Sequence, residues 1–200
     1  MFETLEALDR QLLLLINGAN TPFLDQFMWI VSGKLTWIPL YALLLFFICK
    51  KAGKNWWIML ICIGLAILLA DQISVNCFKN VIQRYRPTRN LEIGNLVHVV
   101  NNYRGGKYGF VSSHAANTFA ISMLVCLFFK KKAVWIGMMT WGVLVCYSRM
   151  YLGVHYPADI VCGGLLGLAC GFVAYKFHDW LSAYIEKKRS IEHQPNCQKQ

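Results

Sequence analysis

The sequence predicts an all-α fold: an integral membrane bundle of five transmembrane helices, or six, with an amphipathic interfacial helix at the N-terminus. Three observations carry this. Of 200 residues, 56% are apolar and only 15% charged, against about 25% charged in ordinary soluble domains. The apolar residues fall in runs approaching the roughly 20 that cross a bilayer. Basic clusters at 50–54, 130–132 and 187–189 close those runs at alternate ends, as the loops of a membrane protein do. The net charge of +10 therefore follows topology, not one basic face, and nucleic acid is not the expected partner.

Residues 2–16 place Phe2, Leu5, Leu8, Leu12, Leu15 and Ile16 three and four apart, with Glu3, Glu6, Asp9 and Arg10 between them. That is the pattern of a helix lying along the membrane surface. Asn17-Gly18 ends it, and Thr21-Pro22 supplies the cap and first residue of the next helix. Gly33-Lys34 and Pro39 interrupt the stretch from Phe23 to Cys49. The favoured reading is one span near 35–49 with 22–33 packed at the interface, so that 1–34 forms an interfacial region. If both pieces cross, the count rises to six.

Residues 56–78 form a long apolar helix that carries Asp71 and Gln72 and ends in Lys79. Buried acids in a span face protein or a polar cavity, and Asp71 and Lys79, two turns apart, can line one inner face. The helix should stop near Arg86, because Pro87 disfavours helical geometry in the residue before it. The polar, glycine-containing stretch 88–110 is the one long loop, a place for function or motion. Further apolar helices follow near 112–129, 134–147 and 160–177. In the last, Gly163, Gly167 and Gly171 recur every four residues, a stripe for close helix packing. Residues 178–200 read as a polar, frayed cytoplasmic tail. No internal repeat or second domain is visible: 1–200 is a single domain with its core at 57–177.

Seven of the eight cysteines, Cys49, Cys62, Cys77, Cys126, Cys146, Cys162 and Cys170, lie in or beside apolar runs without metal-ligand spacing. They read as small hydrophobes, implying neither a disulfide framework nor a metal site. The acidic N-terminus is unlike a cleavable signal peptide, so the spans should target the protein. The positive-inside rule puts the three basic clusters in the cytoplasm and the loops 80–111 and 149–158 on the opposite face.

On that face three clusters meet: Lys79 with Arg86-Pro87, Ser112-Ser113-His114 at a helix start, and Ser148-Arg149 with His155 and Asp159. Taken singly, each has a plainer role. Lys79 can snorkel, Ser112-Ser113 can cap a helix, Arg149 can anchor to headgroups, and His155 and Asp159 can decorate a first turn. Together they suit a tetrahedral phosphate: two arginines and a lysine supply charge-assisted donors, and a helix N-terminus supplies free N–H groups. Two histidines remain for attack and proton transfer, with Asp159 four residues beyond His155, placed to orient the ring.

The residues KNVIQRYRP (79–87), VSSH (111–114) and SRMYLGVHYPAD (148–159) resemble the three motifs of the type 2 phosphatidic-acid phosphatase superfamily, over about residues 57–177. The first and third agree in full. In the second, Val111 and Ser113 replace proline and glycine, and the latter puts a side chain where the family brings backbone close to phosphate. The resemblance implies that His155 attacks phosphorus to form a phosphohistidine, Asp159 orients and stabilises it, and His114 protonates the leaving oxygen. Lys79, Arg86, Ser112, Ser113 and Arg149 would hold the phosphate oxygens, with no metal and no cofactor. Cations around His155 should lower its pKa while Asp159 raises it, giving a bell-shaped pH dependence.

The implied activity is a lipid phosphatase acting on a phosphomonoester or diphosphate lipid at the non-cytoplasmic face of a bacterial inner membrane. Undecaprenyl diphosphate, lipid A, phosphatidylglycerol phosphate and phosphatidic acid are all substrates of the family, and the residues select none of them. Two other readings use the same cations: a lipid phosphotransferase sharing the phosphohistidine, and a non-catalytic binder or transporter of anionic lipid, for which two histidines and an aspartate are superfluous. Oligomeric state is left open.

Overall fold

The computed structural model describes residues 2–192, which are almost wholly helical. The elements are α1 (Phe2–Gly18), α2 (Pro22–Ser32), α3 (Ile38–Ala52), α4 (Trp56–Gln72), α5 (Ser113–Phe129), α6 (Lys132–Tyr151) and α7 (Pro157–Glu192). α4 runs straight on through a π-helical segment, Ile73–Lys79, and a last turn, Asn80–Ile82.

The core of the bundle is built from α4, α5, α6 and α7, packed on small side chains. Cys62, Ala66 and Ala70 of α4 recur every four residues and are completely buried. Gly163, Gly167 and Gly171 of α7 lie directly against α5. A Cβ at these positions would come within 2.5, 2.2 and 2.4 Å of the carbonyl oxygens of Ser112, Ala116 and Ala120. The predicted stripe is thus a backbone-to-backbone seam that fixes where the N-terminal end of α5 sits beside that of α7. The outward faces of α4 and α7 carry exposed Leu60, Leu68, Val161 and Leu165, apolar side chains that suit lipid.

Helix α1 turns four of its leucines outward and buries a row that mixes polar and apolar residues. Leu5, Leu8, Leu12 and Leu15 are exposed, whereas Asp9, Leu13 and Asn17, four apart, are buried against the protein. The Asn17 amide donates to the carbonyls of Tyr151 and His98, and Asp25 of α2 accepts from the Tyr151 hydroxyl at 2.7 Å. Both N-terminal helices are thereby held to the end of the bundle that carries residues 149–156. At the other end Lys51 donates to the Phe128 carbonyl and lies 4.6 Å over the Phe128 ring, a cation at a helix C-terminus.

Two predicted boundaries differ. The helix expected to reach Arg86 ends at Ile82, because Gln83 takes a left-handed conformation (φ 51°) and residues 84–86 pair instead with the long loop. The Arg86 N–H donates to the Lys107 carbonyl and the Gly109 N–H to the Arg84 carbonyl. The tail expected to fray from 178 is helical to Glu192. There Phe177, Trp180 and Tyr184 form a ladder of ring contacts at 5.6 and 6.0 Å, while Leu181 and Ile185 pack on the core. The rest of that predicted tail, 193–200, lies outside the described residues.

Candidate active site

Two backbone junctions, with side-chain bonds beside them, bring the predicted residues to one end of the bundle. The long loop folds back onto the turn between α6 and α7, with the Thr88 N–H on the Gly153 carbonyl at 3.3 Å and the Thr88 hydroxyl on the Arg104 carbonyl at 2.8 Å. The Ser112 N–H donates to the Asp159 carbonyl at 3.0 Å, joining the start of α5 to that of α7. Asp159, in the first turn of α7, accepts from the Tyr156 N–H at 3.0 Å, the local bond by which an acidic side chain satisfies a free helix-start donor.

His155 lies in the tight turn before α7 and is buried, as is Asp159. Its Nδ1 faces Asp159 Oδ2 at 3.3 Å and its Nε2 faces Arg86 Nη1 at 3.2 Å. A guanidinium can only donate, so the partners assign the proton to Nδ1 and the lone pair to Nε2, beside the arginine. Burial, and then the charges of Arg86, Arg149 and Lys79, push the imidazole pKa well below its ordinary 6.5, with a backbone contact from Gly109 opposing. The direction agrees with the sequence expectation, but the first cause is burial. Gly109 is tightly hemmed in: a Cβ there would stand 3.1 Å from Asp159 Oδ2 and 3.2 Å from Arg86 Cγ.

The cations come from separate elements. Lys79 arrives from the end of the π-helical segment and donates to Ser113 Oγ, which also bonds Ser74 Oγ at 2.7 Å. Thus the serine that replaces the family's glycine holds the lysine in place. Arg86 is fixed by the carbonyls of Tyr108 and Val154 at 3.1 and 3.2 Å. Arg149, near the end of α6 and almost fully buried, donates to Ser32 Oγ and, at 3.2 Å, to the Tyr103 hydroxyl. Ser112 is the N-cap of α5, its hydroxyl oxygen accepting from the Ala115 N–H. His114, the second residue of α5, is partly exposed and sits in the fields of Arg149, His155, Lys34 and Arg86. All eight predicted residues therefore lie at one end of the bundle, with Ser112 and Ser113 occupied in holding their neighbours.

Sequence reasoning did not single out the group behind Asp159. Arg84 donates through Nη1 to Asp159 Oδ1 at 3.0 Å and through Nη2 to Asp9 Oδ2 at 2.7 Å, with its guanidinium 4.0 Å from the Tyr156 ring centre. Asp9 Oδ1 accepts from the Ala158 N–H at 2.8 Å, so α1 also caps α7. Arg84 sits inside the first motif but outside its specified positions. The one signal for Asp9 was its four-residue spacing from Leu13 and Asn17.

Comparison with known proteins identifies the family of the chain. The PAP2 superfamily profile matches residues 55–183. The chain is 36% identical over 195 residues to a lipid A 4'-phosphatase of Bacteroides thetaiotaomicron, covering 96% of this chain and 86% of that protein. It is also 36% identical to the lipid A 4'-phosphatase of Porphyromonas gingivalis, covering 88% and 77%. A transmembrane PAP2-type phosphatidylglycerolphosphate phosphatase from Bacillus subtilis shares the fold with a TM-score of 0.65 at 23% identity, over 88% of this chain and 87% of that one. The chain belongs to the PAP2 superfamily, as one of its membrane lipid phosphatases.

Proposed function

We propose that the protein removes a phosphate monoester from a lipid A-type glycolipid, the substrate named for its two relatives at 36% identity. The observation that carries the mechanism is the His155 ring held between Asp159 on Nδ1 and Arg86 beside Nε2. Lys79, Arg86 and Arg149 bind the phosphate oxygens, together with free N–H groups at the start of α5. The Nε2 lone pair forms a bond to phosphorus as the ester P–O bond breaks, and the leaving oxygen takes a proton from His114. Water then attacks phosphorus, His114 accepts its proton, the N–P bond breaks and inorganic phosphate departs. Asp159 stabilises the charge that develops on the ring.

Five helices, α3 to α7, cross the bilayer, α3 being lengthened at its start by the 3-10 turn Leu35–Trp37. α2 has 11 residues, about 16 Å of helix, and is too short to span. With α1 it lies at the interface on the site's side. The basic clusters at the other end are cytoplasmic, so the site faces the periplasm.

Phosphate release from lipid A, undecaprenyl diphosphate, phosphatidylglycerol phosphate and phosphatidic acid by the detergent-purified protein tests the substrate, with mass spectrometry locating the phosphate lost. Lipid A dephosphorylated at the 4' position is expected. Release only from the other lipids would overturn that assignment. Labelled phosphate on the protein, stable to alkali and labile to acid, is expected in an acid-free quench of wild type and absent from His155→Asn. Label persisting in the variant would remove His155 from the nucleophile's place.

A further inference from the structure

A cleft of about 360 Å³ opens beside the reaction centre, lined by Trp29, Ser32, Lys34, Tyr103, His114 and Arg149 among others. Neither His155 nor Asp159 lines it. It adjoins His114, the proton donor proposed above, and Arg149, which holds the phosphate, so whatever fills it beyond the phosphate belongs to the leaving group.

The walls of this cleft divide into two kinds. Ser32 and Tyr103 have a task already, since both hold Arg149. Trp29 and Lys34 do not. Trp29 meets Tyr103 edge-on at 5.5 Å and remains 38% exposed. Lys34, exposed in the break between α2 and α3, has no hydrogen-bond or ion-pair partner among the described residues. It stands on the end of the bundle opposite the basic clusters, where topology gives no reason for a lysine. An aromatic wall with one cation and a hydroxyl fits a pyranose, whose C–H faces lie against rings while its hydroxyl and amide groups take polar partners. An acyl or prenyl chain would offer nothing for the exposed ammonium of Lys34 to bind.

We infer that the Trp29–Lys34 cleft is the subsite for the phosphate-bearing sugar of the substrate, making these two residues determinants of specificity for glycolipid phosphates over glycerolipid phosphates. This rests on the function proposed above. The protein reaches such specificity because contacts to the sugar strengthen binding of one substrate's transition state and not the other's.

The experiment measures kcat/KM for lipid A and for phosphatidic acid, with undecaprenyl diphosphate as a third substrate, as detergent mixed micelles, in wild type, Trp29→Leu, Trp29→Tyr and Lys34→Gln. The ratio of the lipid A value to the phosphatidic acid value should fall about tenfold in Trp29→Leu and in Lys34→Gln, and recover in Trp29→Tyr, the size expected from losing one substrate contact. Unfolding midpoints matching wild type establish that each variant is folded. A ratio unchanged in Trp29→Leu and Lys34→Gln, even with both activities reduced, would overturn the subsite and leave Trp29 as an interfacial anchor. If Lys34→Gln instead lowers turnover of undecaprenyl diphosphate alone, Lys34 meets a second phosphate and the sugar assignment fails. Wild type inactive on lipid A but active on phosphatidic acid would sink the proposed substrate instead, an outcome distinct from the other two.

Discussion

Arg84 and Asp159 form an ion pair, Nη1 to Oδ1 at 3.0 Å, on the side of the carboxylate away from His155. The carboxylate is fully buried, and a buried charge is costly unless paired and hydrogen-bonded. Its partners are the Arg84 guanidinium, the Tyr156 N–H and the His155 ring. In the mechanism proposed above, Arg84 would act on His155 through Asp159 without touching the substrate.

Replacing Arg84 should consequently lower kcat and leave KM near its wild-type value. Arg84→Ala is expected to cost about 10- to 100-fold in kcat, whereas Arg86→Ala should raise KM as well. The check is a double-mutant cycle with Asp159→Asn. If Arg84 works through Asp159, the double variant is scarcely slower than Asp159→Asn alone. Additive losses would place Arg84 elsewhere in the mechanism.

Acidification should destabilise the protein through His155. The unfolded histidine takes a proton near 6.5, but the buried native ring does so only well below that. As pH falls through this window, the unfolded state binds more protons and gains relative stability. The unfolding midpoint in detergent should therefore drop between pH 6.5 and about 5, and drop less in His155→Asn. An equal drop in both would show that other groups control the acid limit.

Gly109→Ala tests how closely the loop presses on the pair. Its added methyl would sit 3.1 Å from Asp159 Oδ2, so either the carboxylate or Arg86 must move. We expect kcat to fall by about tenfold while the unfolding midpoint shifts by only a few degrees, since small displacements of reacting groups are costly in rate. Wild-type kcat would mean that the loop gives way instead.

Gly167→Ala tests the opposite balance. The new Cβ would meet the Ala116 carbonyl at 2.2 Å and force α5 and α7 apart, destabilising by about 1–3 kcal/mol, as overpacking does. Thermal unfolding should register this before any specific change in KM.

The apolar helices were legible because their code is coarse: apolar runs, basic clusters, and glycines every four residues that the structure turns into the α5–α7 seam. The eight residues now found at one end of the bundle were legible because three short motifs place them beside helix ends. Arg84 and Asp9 were not. They are 75 residues apart and meet only because Gln83 turns the chain out of α4 and α1 lies across the start of α7. The helical end of α7 was missed for another reason: its charged residues outweighed in composition the spacing of Phe177, Leu181 and Ile185, which sets its packing.

The acid from α1 that caps α7 and grips Arg84 lies far outside residues 55–183, the stretch common to the family. A fragment trimmed to those shared boundaries would keep the motif residues from Lys79 to Asp159 yet leave Arg84 without Asp9 and Arg149 without Ser32. The structural unit around the site is therefore larger than the family profile and includes the opening helices.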